Sequence, residues 1–340
     1  MNGKTKLNLA VIGTGRIGRI HAENIAQRVS GAQLAAVADV NLDVAREVGG
    51  RLGVPKVAED YHALLSDPDI DAIIICSSTD THAQIIREGA AAKKHIFCEK
   101  PIAHDLHEID TALQAVESAG VKLQVGFHRR FDPGFRKAYD LIQEGRLGSL
   151  RTVRITSRDP SPPPLDYIRH SGGIFMDMTI HDFDMARFLI GSEAEEVYAV
   201  GGVMVDPEIG KANDLDTVLV MMRFANSVIA TIDNCRQAAY GYDQRVEVFG
   251  SGGMVQIENE TLDRHIYSDP TGIHLALPQH FFLERYTIAF AKEMQAFVDA
   301  VLNDQPTRVT GLDGRMPVVM GIAALKSCRE NRPVRLEEIA

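Results

Sequence analysis

Leu7-Asn8-Leu9-Ala10-Val11-Ile12-Gly13-Thr14-Gly15-Arg16-Ile17-Gly18 is a short apolar run, then a GxGxxG turn, then the start of a helical pattern that continues to Ile25. Strand, glycines and helix in that order form the setting in which such a turn holds a dinucleotide. The glycines permit a tight turn and close packing, and the helix start offers free N–H groups and partial positive charge to a pyrophosphate. Gly13, Gly15, Arg16 and Ile17 are therefore the expected cofactor-binding positions of the turn. The next strand, Leu34 to Ala38, ends in Asp39. An acid there accepts from the adenosine ribose hydroxyls and repels a 2′-phosphate, and Val40-Asn41 supply no compensating cation, so NAD is expected over NADP. The plainer reading is a glycine turn in an α/β fold that holds no nucleotide.

Working outward, Ala72 to Cys76 is apolar on both faces, as strands of a helix-covered parallel sheet are. The loop after it, Ser77-Ser78-Thr79-Asp80-Thr81-His82, lies at the carboxyl edge of the sheet, where ligands of doubly wound folds bind. Ser77, Ser78, Thr79 and His82 are cofactor-contact candidates, or simply helix N-caps. The strand His95 to Cys98 delivers Glu99-Lys100-Pro101 at the same edge. Proline fixes the turn, with a cis bond open to it, so Lys100 is aimed rather than left to wander. Held near a nicotinamide with Glu99 alongside, its ammonium binds the reacting oxygen or shares its proton; the alternative is a solvated surface lysine. A strand from Lys122 to Val125 completes a domain over residues 1–125, and residues 126–340 form the second. In the crossing segment, Arg129-Arg130 beside Phe127 suit either a clamp on polar ligand groups or a domain-interface ion pair.

Composition limits the function. A chain of 340 residues with 45% hydrophobic content has room for two cores. The net charge of -10, with no basic run, argues against nucleic acid and acidic membranes as partners and favours a small molecule. Cys76, Cys98, Cys235 and Cys328 lie far apart with no CxxC, so neither a zinc site nor a disulfide framework is implied. With no apolar signal core and no membrane-spanning run, a cytoplasmic location is expected.

The second half reads as strands in series at Ser149–Arg158, Glu196–Val205, Thr217–Phe224, Val228–Asn234, Arg245–Gly250 and Met254–Glu258, an open mixed or antiparallel sheet. Val197–Val205 and Asp216–Met222 are apolar on both faces, more than one helix layer explains, so a homo-oligomer is expected. Two helices, Phe281–Leu302 and Gly311–Arg329, close the chain and are expected to lean back on the first domain. The fold class is thus α/β, a Rossmann doubly wound parallel sheet followed by an α+β domain with a large open sheet.

Into that second half is inserted Gly172 to Leu189, GGIFMDMTIHDFDMARFL, read as one helix with apolar side chains almost all round. Asp177, His181 and Asp184 fall at i, i+4 and i+7, within one wedge of about 60° on the wheel. Buried polar groups are paired or line a ligand cavity. The bland reading is a satisfied core histidine with a local carboxylate. Against it stand Gly172-Gly173, which allow a close approach to the helix start. Asp177 and His181 share i, i+4 spacing, but no third ligand completes a metal set, and no metal is expected.

The GxGxxG turn, Cys98-Glu99-Lys100-Pro101, Gly126-Phe127-His128-Arg129-Arg130-Phe131-Asp132 and the run from Gly172-Gly173 through His181-Asp182 together resemble the glucose-fructose oxidoreductase/inositol dehydrogenase (Gfo/Idh/MocA) family over essentially the whole chain. Within it, Ser157-Arg158-Asp159-Pro160, Met176 to Arg187 and Tyr240-Gly241-Tyr242-Asp243-Gln244-Arg245 resemble the inositol-dehydrogenase branch. The resemblance implies NAD-dependent oxidation of a secondary hydroxyl of a cyclic polyol, most of all myo-inositol. Scyllo-inositol, another inositol or an aldose such as glucose are the rival substrates, and a non-catalytic NAD-binding regulator is the rival of another class. It also implies Lys100, Asp177 and His181 as the catalytic group, Arg130, Asp159 and Tyr240 near the polyol, and four subunits associating through the open sheet. His128 departs from the Asn or Met expected at its position in this branch.

Overall fold

The computed structural model describes Lys4–Ile339; the three residues that precede Lys4 in the stretch leading to the first strand lie outside the described residues. The chain gathers into two compact units, one running up to Phe131 and adding Ile288–Met316, the other Asp132–Thr287 with Pro317 onward.

The first unit is built on β1 (Leu7–Ile12), β2 (Ala32–Ala38), β3 (Lys56–Ala58), β4 (Ala72–Ile75), β5 (His95–Glu99) and β6 (Leu123–Gly126), ordered β3-β2-β1-β4-β5-β6. Every pairing is parallel. Helices on its faces explain why β4 carries only apolar residues, all fully buried. Packed on the sheet are Ile25 from the helix Arg16–Gln27 and Met294, Phe297 and Val301 from the helix Thr287–Leu302. That last helix is shorter than the span expected from Phe281, because a separate turn, Phe282–Arg285, ends at Tyr286. The strand order reverses between β1 and β4, which opens a crevice at their carboxyl ends.

The second unit holds β7 (Leu150–Arg158), β8 (Ala194–Gly202), β9 (Thr217–Phe224), β10 (Ile229–Cys235), β11 (Asp243–Gly250) and β12 (Gly253–Ile257). A hairpin follows, β13 (Ile266–Asp269) with β14 (Gly272–Leu275), and then the two-residue β15 (Val334–Arg335). The sheet order is β12-β11-β7-β10-β9-β8-β15, with β7 and β10 parallel and the other pairs antiparallel. The hairpin and β15 were not expected. In β9, Val218, Val220, Met222 and Phe224 are buried while Leu219, Met221 and Arg223 are exposed, so helices cover one face of the sheet only.

The polar-striped segment differs from the single helix read from its pattern. It forms a short turn, Ile174–Asp177, and then a helix, Thr179–Ile190, broken at Met178. Asp177 and His181 therefore stand on different pieces, and the continuous wheel that put them in one wedge with Asp184 does not hold. Ile174 N–H donates to Asp214, and Asp214 Oδ1 leaves no space for a Cβ at Gly173, whose φ is +83°. That is the close approach the two glycines allow.

Candidate active site

In the first unit the turn after β1 is built to be approached. A Cβ at Gly13 would lie 2.6 Å from the backbone of Cys76 and Ser77, and one at Gly18 would lie 1.9 Å from the Gly13 carbonyl. Gly15 instead faces open space, at the N-cap of the helix that begins with Arg16. A side chain is thus excluded from two positions by packing, and at Gly15 the site stays open for a phosphate to meet helical N–H groups. Asp39, at the end of β2, accepts from Thr14 N (2.7 Å), Thr14 Oγ1 (3.0 Å) and Asn41 N (2.9 Å). Its oxygens are fixed beside the turn with lone pairs left for ribose hydroxyls. These residues fit NAD. Replacing Asp39 with Ser removes charge-assisted hydrogen bonds, so KM for NAD is expected to rise about 10- to 100-fold while NADP becomes usable. Initial rates with both cofactors check this, and an unchanged NAD:NADP ratio would count against the ribose role.

Ser77 and Thr79 are half-buried, Ser78 is exposed, and Ser77 Oγ bonds Thr81 Oγ1 at 2.7 Å. His82 is held on both sides by backbone carbonyls. Its Nδ1 lies 2.8 Å from the Pro101 carbonyl and its Nε2 3.1 Å from that of Ser77, and burial pushes its pKa down. A neutral ring donates through one nitrogen, and the shorter contact takes it. His82 braces the Lys100–Pro101 turn, whose peptide bond is cis, against the loop after β4. Lys100 itself is half-buried, directly after β5.

Glu99 is held by residues the sequence reading passed over. His21 Nε2 lies 2.7 Å from Glu99 Oε1, and a side chain at Gly126 would clash with the same carboxylate at 2.9 Å. The carboxyl of Glu293, fully buried, sits 3.9 Å from His21 Nε2, and neither of its oxygens has a hydrogen-bond partner. These three side chains are a possible cation site by spacing. Burial, and then the charge of Glu99, push the Glu293 carboxyl well above its ordinary value of 4.5. The folded protein thus keeps a proton on Glu293 that the unfolded chain releases, so stability falls as pH rises above about 4.5 until the folded value is reached. Glu293→Gln removes this loss. Its Tm advantage over the parent is expected to widen between pH 5.5 and 8.5, by about 2–4 °C for each kcal/mol recovered; parallel melting curves would disprove it.

The segment after β6 is held by contacts of its own. Arg130, assigned to the polyol by resemblance, is buried and pairs with Asp313 at 2.9 Å. His128 is buried as well, stacked on Phe290 with ring centroids 4.5 Å apart.

In the second unit, Ser157 is paired with Asn234 on one neighbouring strand and Gln244 on the other. Above this row lies Asp182, fully buried, which accepts from Ser157 Oγ (2.7 Å) and Asn234 Nδ2 (2.8 Å). This bonding anchors the helix Thr179–Ile190 to the sheet and leaves His181, next in sequence, half-buried. Asp177 accepts from Tyr167 Oη (2.8 Å) and from Arg236 Nη1 (3.0 Å). Asp159 follows β7, near enough for its charge to raise the pKa of Arg236. Tyr240 is engaged elsewhere: its hydroxyl donates to Asp243 at 2.6 Å and accepts from Arg158 at 3.0 Å. Burial and then the Asp243 bond raise the phenol's pKa. Tyr167, Asp182, Arg236, His21 and Glu293 are the functional neighbours the sequence reading missed. A signal existed for His21, a polar residue on the buried face of its helix with Gly18, Ala22 and Ile25.

Comparison with known proteins agrees with this architecture. Residues 7–127 match the oxidoreductase family with NAD-binding Rossmann fold, and residues 135–256 match the GFO/IDH/MocA C-terminal domain. The chain is 48% identical to myo-inositol 2-dehydrogenase of Thermotoga maritima, over 98% of this chain and 99% of that one. It is 43% identical to inositol 2-dehydrogenase of Rhizobium meliloti, over 97% and 99%. The crystal structure of scyllo-inositol dehydrogenase from Lactobacillus casei, with bound NAD(H) and scyllo-inositol, superposes with a TM-score of 0.92 at 33% identity, covering 98% of this chain and 99% of that one. A glycine turn open to a phosphate, an acid fixed at the end of the second strand and full-length relatives of one kind converge: the chain belongs to the Gfo/Idh/MocA family of NAD-binding oxidoreductases.

Proposed function

We propose that the chain oxidises a secondary hydroxyl of a cyclic polyol, converting myo-inositol to its 2-keto product. The observation that carries the reading is the 48% identity to a myo-inositol 2-dehydrogenase along nearly the full length of both chains. When bound, NAD supplies the hydride acceptor, C4 of the nicotinamide. His181 takes the hydroxyl proton, without which hydride departure leaves a charged, high-energy oxygen. Asp177, steadied by Tyr167 and Arg236, stabilises the imidazolium that forms or orients a substrate hydroxyl. Lys100 donates to the oxygen as negative charge develops on it.

The test is NADH absorbance with myo-inositol, scyllo-inositol, another inositol and glucose as separate substrates. The greatest kcat/KM with myo-inositol is the expected result. A preference for scyllo-inositol would move the chain to the substrate of the Lactobacillus casei protein. Silence across the panel with NAD still bound would make it a regulator.

We infer as well that four copies associate through the open face of the second sheet. Leu219, Met221, Ile229, Phe249 and Met254 are exposed there, and an apolar area of that extent favours a partner surface. All four cysteines are free thiols, which suits the reducing cytoplasm. Among the described residues no helix is long and apolar enough to cross a membrane.

A further inference from the structure

Arg236 follows β10 directly, and its side chain is completely buried. A buried guanidinium must be paired, and this one lies between two acids: Nη1 is 3.0 Å from Asp177 Oδ2, and Nη2 is 3.3 Å from Asp214 Oδ2. Its Nε is buried without a hydrogen-bond partner, so the two carboxylates are what hold it. Its backbone is fixed too, since Arg236 N–H donates to the Asp216 carbonyl at 2.8 Å. Asp214 in turn accepts from Ile174 N–H at 2.8 Å, the first residue of the turn that ends in Asp177. A closed frame results, in which Asp214 pins the start of that turn and Arg236 pins its end.

We propose that Arg236 is the positioning residue for Asp177, a buried guanidinium that holds this carboxylate in place and ionised, with Asp214 as the competing anion. This rests on the role given to Asp177 above. Charged and titratable groups around the pair include Tyr167 from the helix Leu165–His170, Asp159 after β7 and Asp214 ahead of β9, with His181 on the helix after Met178, four residues beyond Asp177 in sequence. Arg236 is a cation bonded to Asp177, and Asp214 draws on the same cation. Removing Arg236 therefore makes Asp177 easier to protonate, and neutralising Asp214 makes it harder. Opposite effects from two substitutions in one frame are a signature that mere loss of packing does not produce.

The experiment is the pH profile of kcat/KM for myo-inositol at saturating NAD, with NAD affinity measured separately by titration. The acid side of that profile carries the loss of the His181 base and, at lower pH, protonation of Asp177; Arg236→Gln is expected to move the lower of these limbs upward by about one pH unit or more and Asp214→Asn to move it downward, with NAD affinity unchanged in both. If Arg236→Gln does not fold, Asp214→Asn decides alone, and a limb that stays put or rises overturns the proposal. Two limbs moving in the same direction overturn it as well. Asp177→Asn separates the levels. Ordinary turnover in that variant sinks the role of Asp177 and this inference with it; an inactive Asp177→Asn with unmoved limbs in the other two sinks the Arg236 assignment alone.

Discussion

His181→Ala is expected to turn over myo-inositol with kcat about 100- to 10,000-fold below the parent and to bind NAD as the parent does. The magnitude is that of a lost general base. What makes the substitution clean is the local architecture. The helix Thr179–Ile190 is fixed to the sheet by Asp182, through Ser157 and Asn234, and by apolar residues such as Ile180, Phe183 and Leu189, all fully buried. The imidazole contributes to none of these bonds, so alanine leaves the helix seated. The glycine turn and Asp39, expected to bind the cofactor, belong to the other compact unit. NADH formation at saturating polyol gives kcat, and titration of the apoprotein gives the NAD affinity. A residual rate that climbs with added imidazole would mark the missing base; a kcat within a few-fold of the parent would take His181 out of the mechanism.

How far this site could be read from sequence follows from which interactions are local. The turn from Leu7 to Gly18 was legible because strand, glycines and helix are contiguous; Gly13 and Gly18 answer to contacts with the loop after β4 and within the turn, and Gly15 faces open space. The strands of the second sheet were legible to within a few residues as strand-like runs in series, whereas the alternation of burial along β9 is shown only by the structure. The break at Met178 was not, because the residues around it, Phe175, Met176, Met178 and Ile180, are all good helix-face residues. The bond that fixes the start of that turn is tertiary, from Ile174 N–H to Asp214 across 40 residues. Asp182 was hidden for the same reason, since its partners Ser157 and Asn234 lie 25 and 52 residues away. Resemblance carried Arg130 and Tyr240 to the polyol by position alone. The structure shows each bonded to an acid of its own unit, Asp313 and Asp243, a pairing no motif records.

Lys100→Met is expected to lower kcat about 100- to 1,000-fold, the loss that follows when one preorganised donor to a developing oxyanion is removed. Methionine keeps an unbranched apolar stem and removes only the charge, so the packing of this half-buried side chain is disturbed little. The backbone around it is held independently of the ammonium. Glu99 is fixed by His21 and by the space left at Gly126, and the Pro101 carbonyl is fixed by His82. Because the lost interaction strengthens only as the alkoxide forms, kcat should fall far more than KM rises. The chemical step then limits turnover, and deuterium on the reacting carbon of the polyol should slow the variant more than the parent. Lys100 and His181 are assigned to the same oxygen, one steadying its charge and the other removing its proton, so their losses should not add. The double variant Lys100→Met with His181→Ala is expected to be only slightly slower than the worse of the two. Fully multiplicative losses would mean that the two side chains act on separate steps, and Lys100 would then belong to cofactor binding rather than to the alcohol.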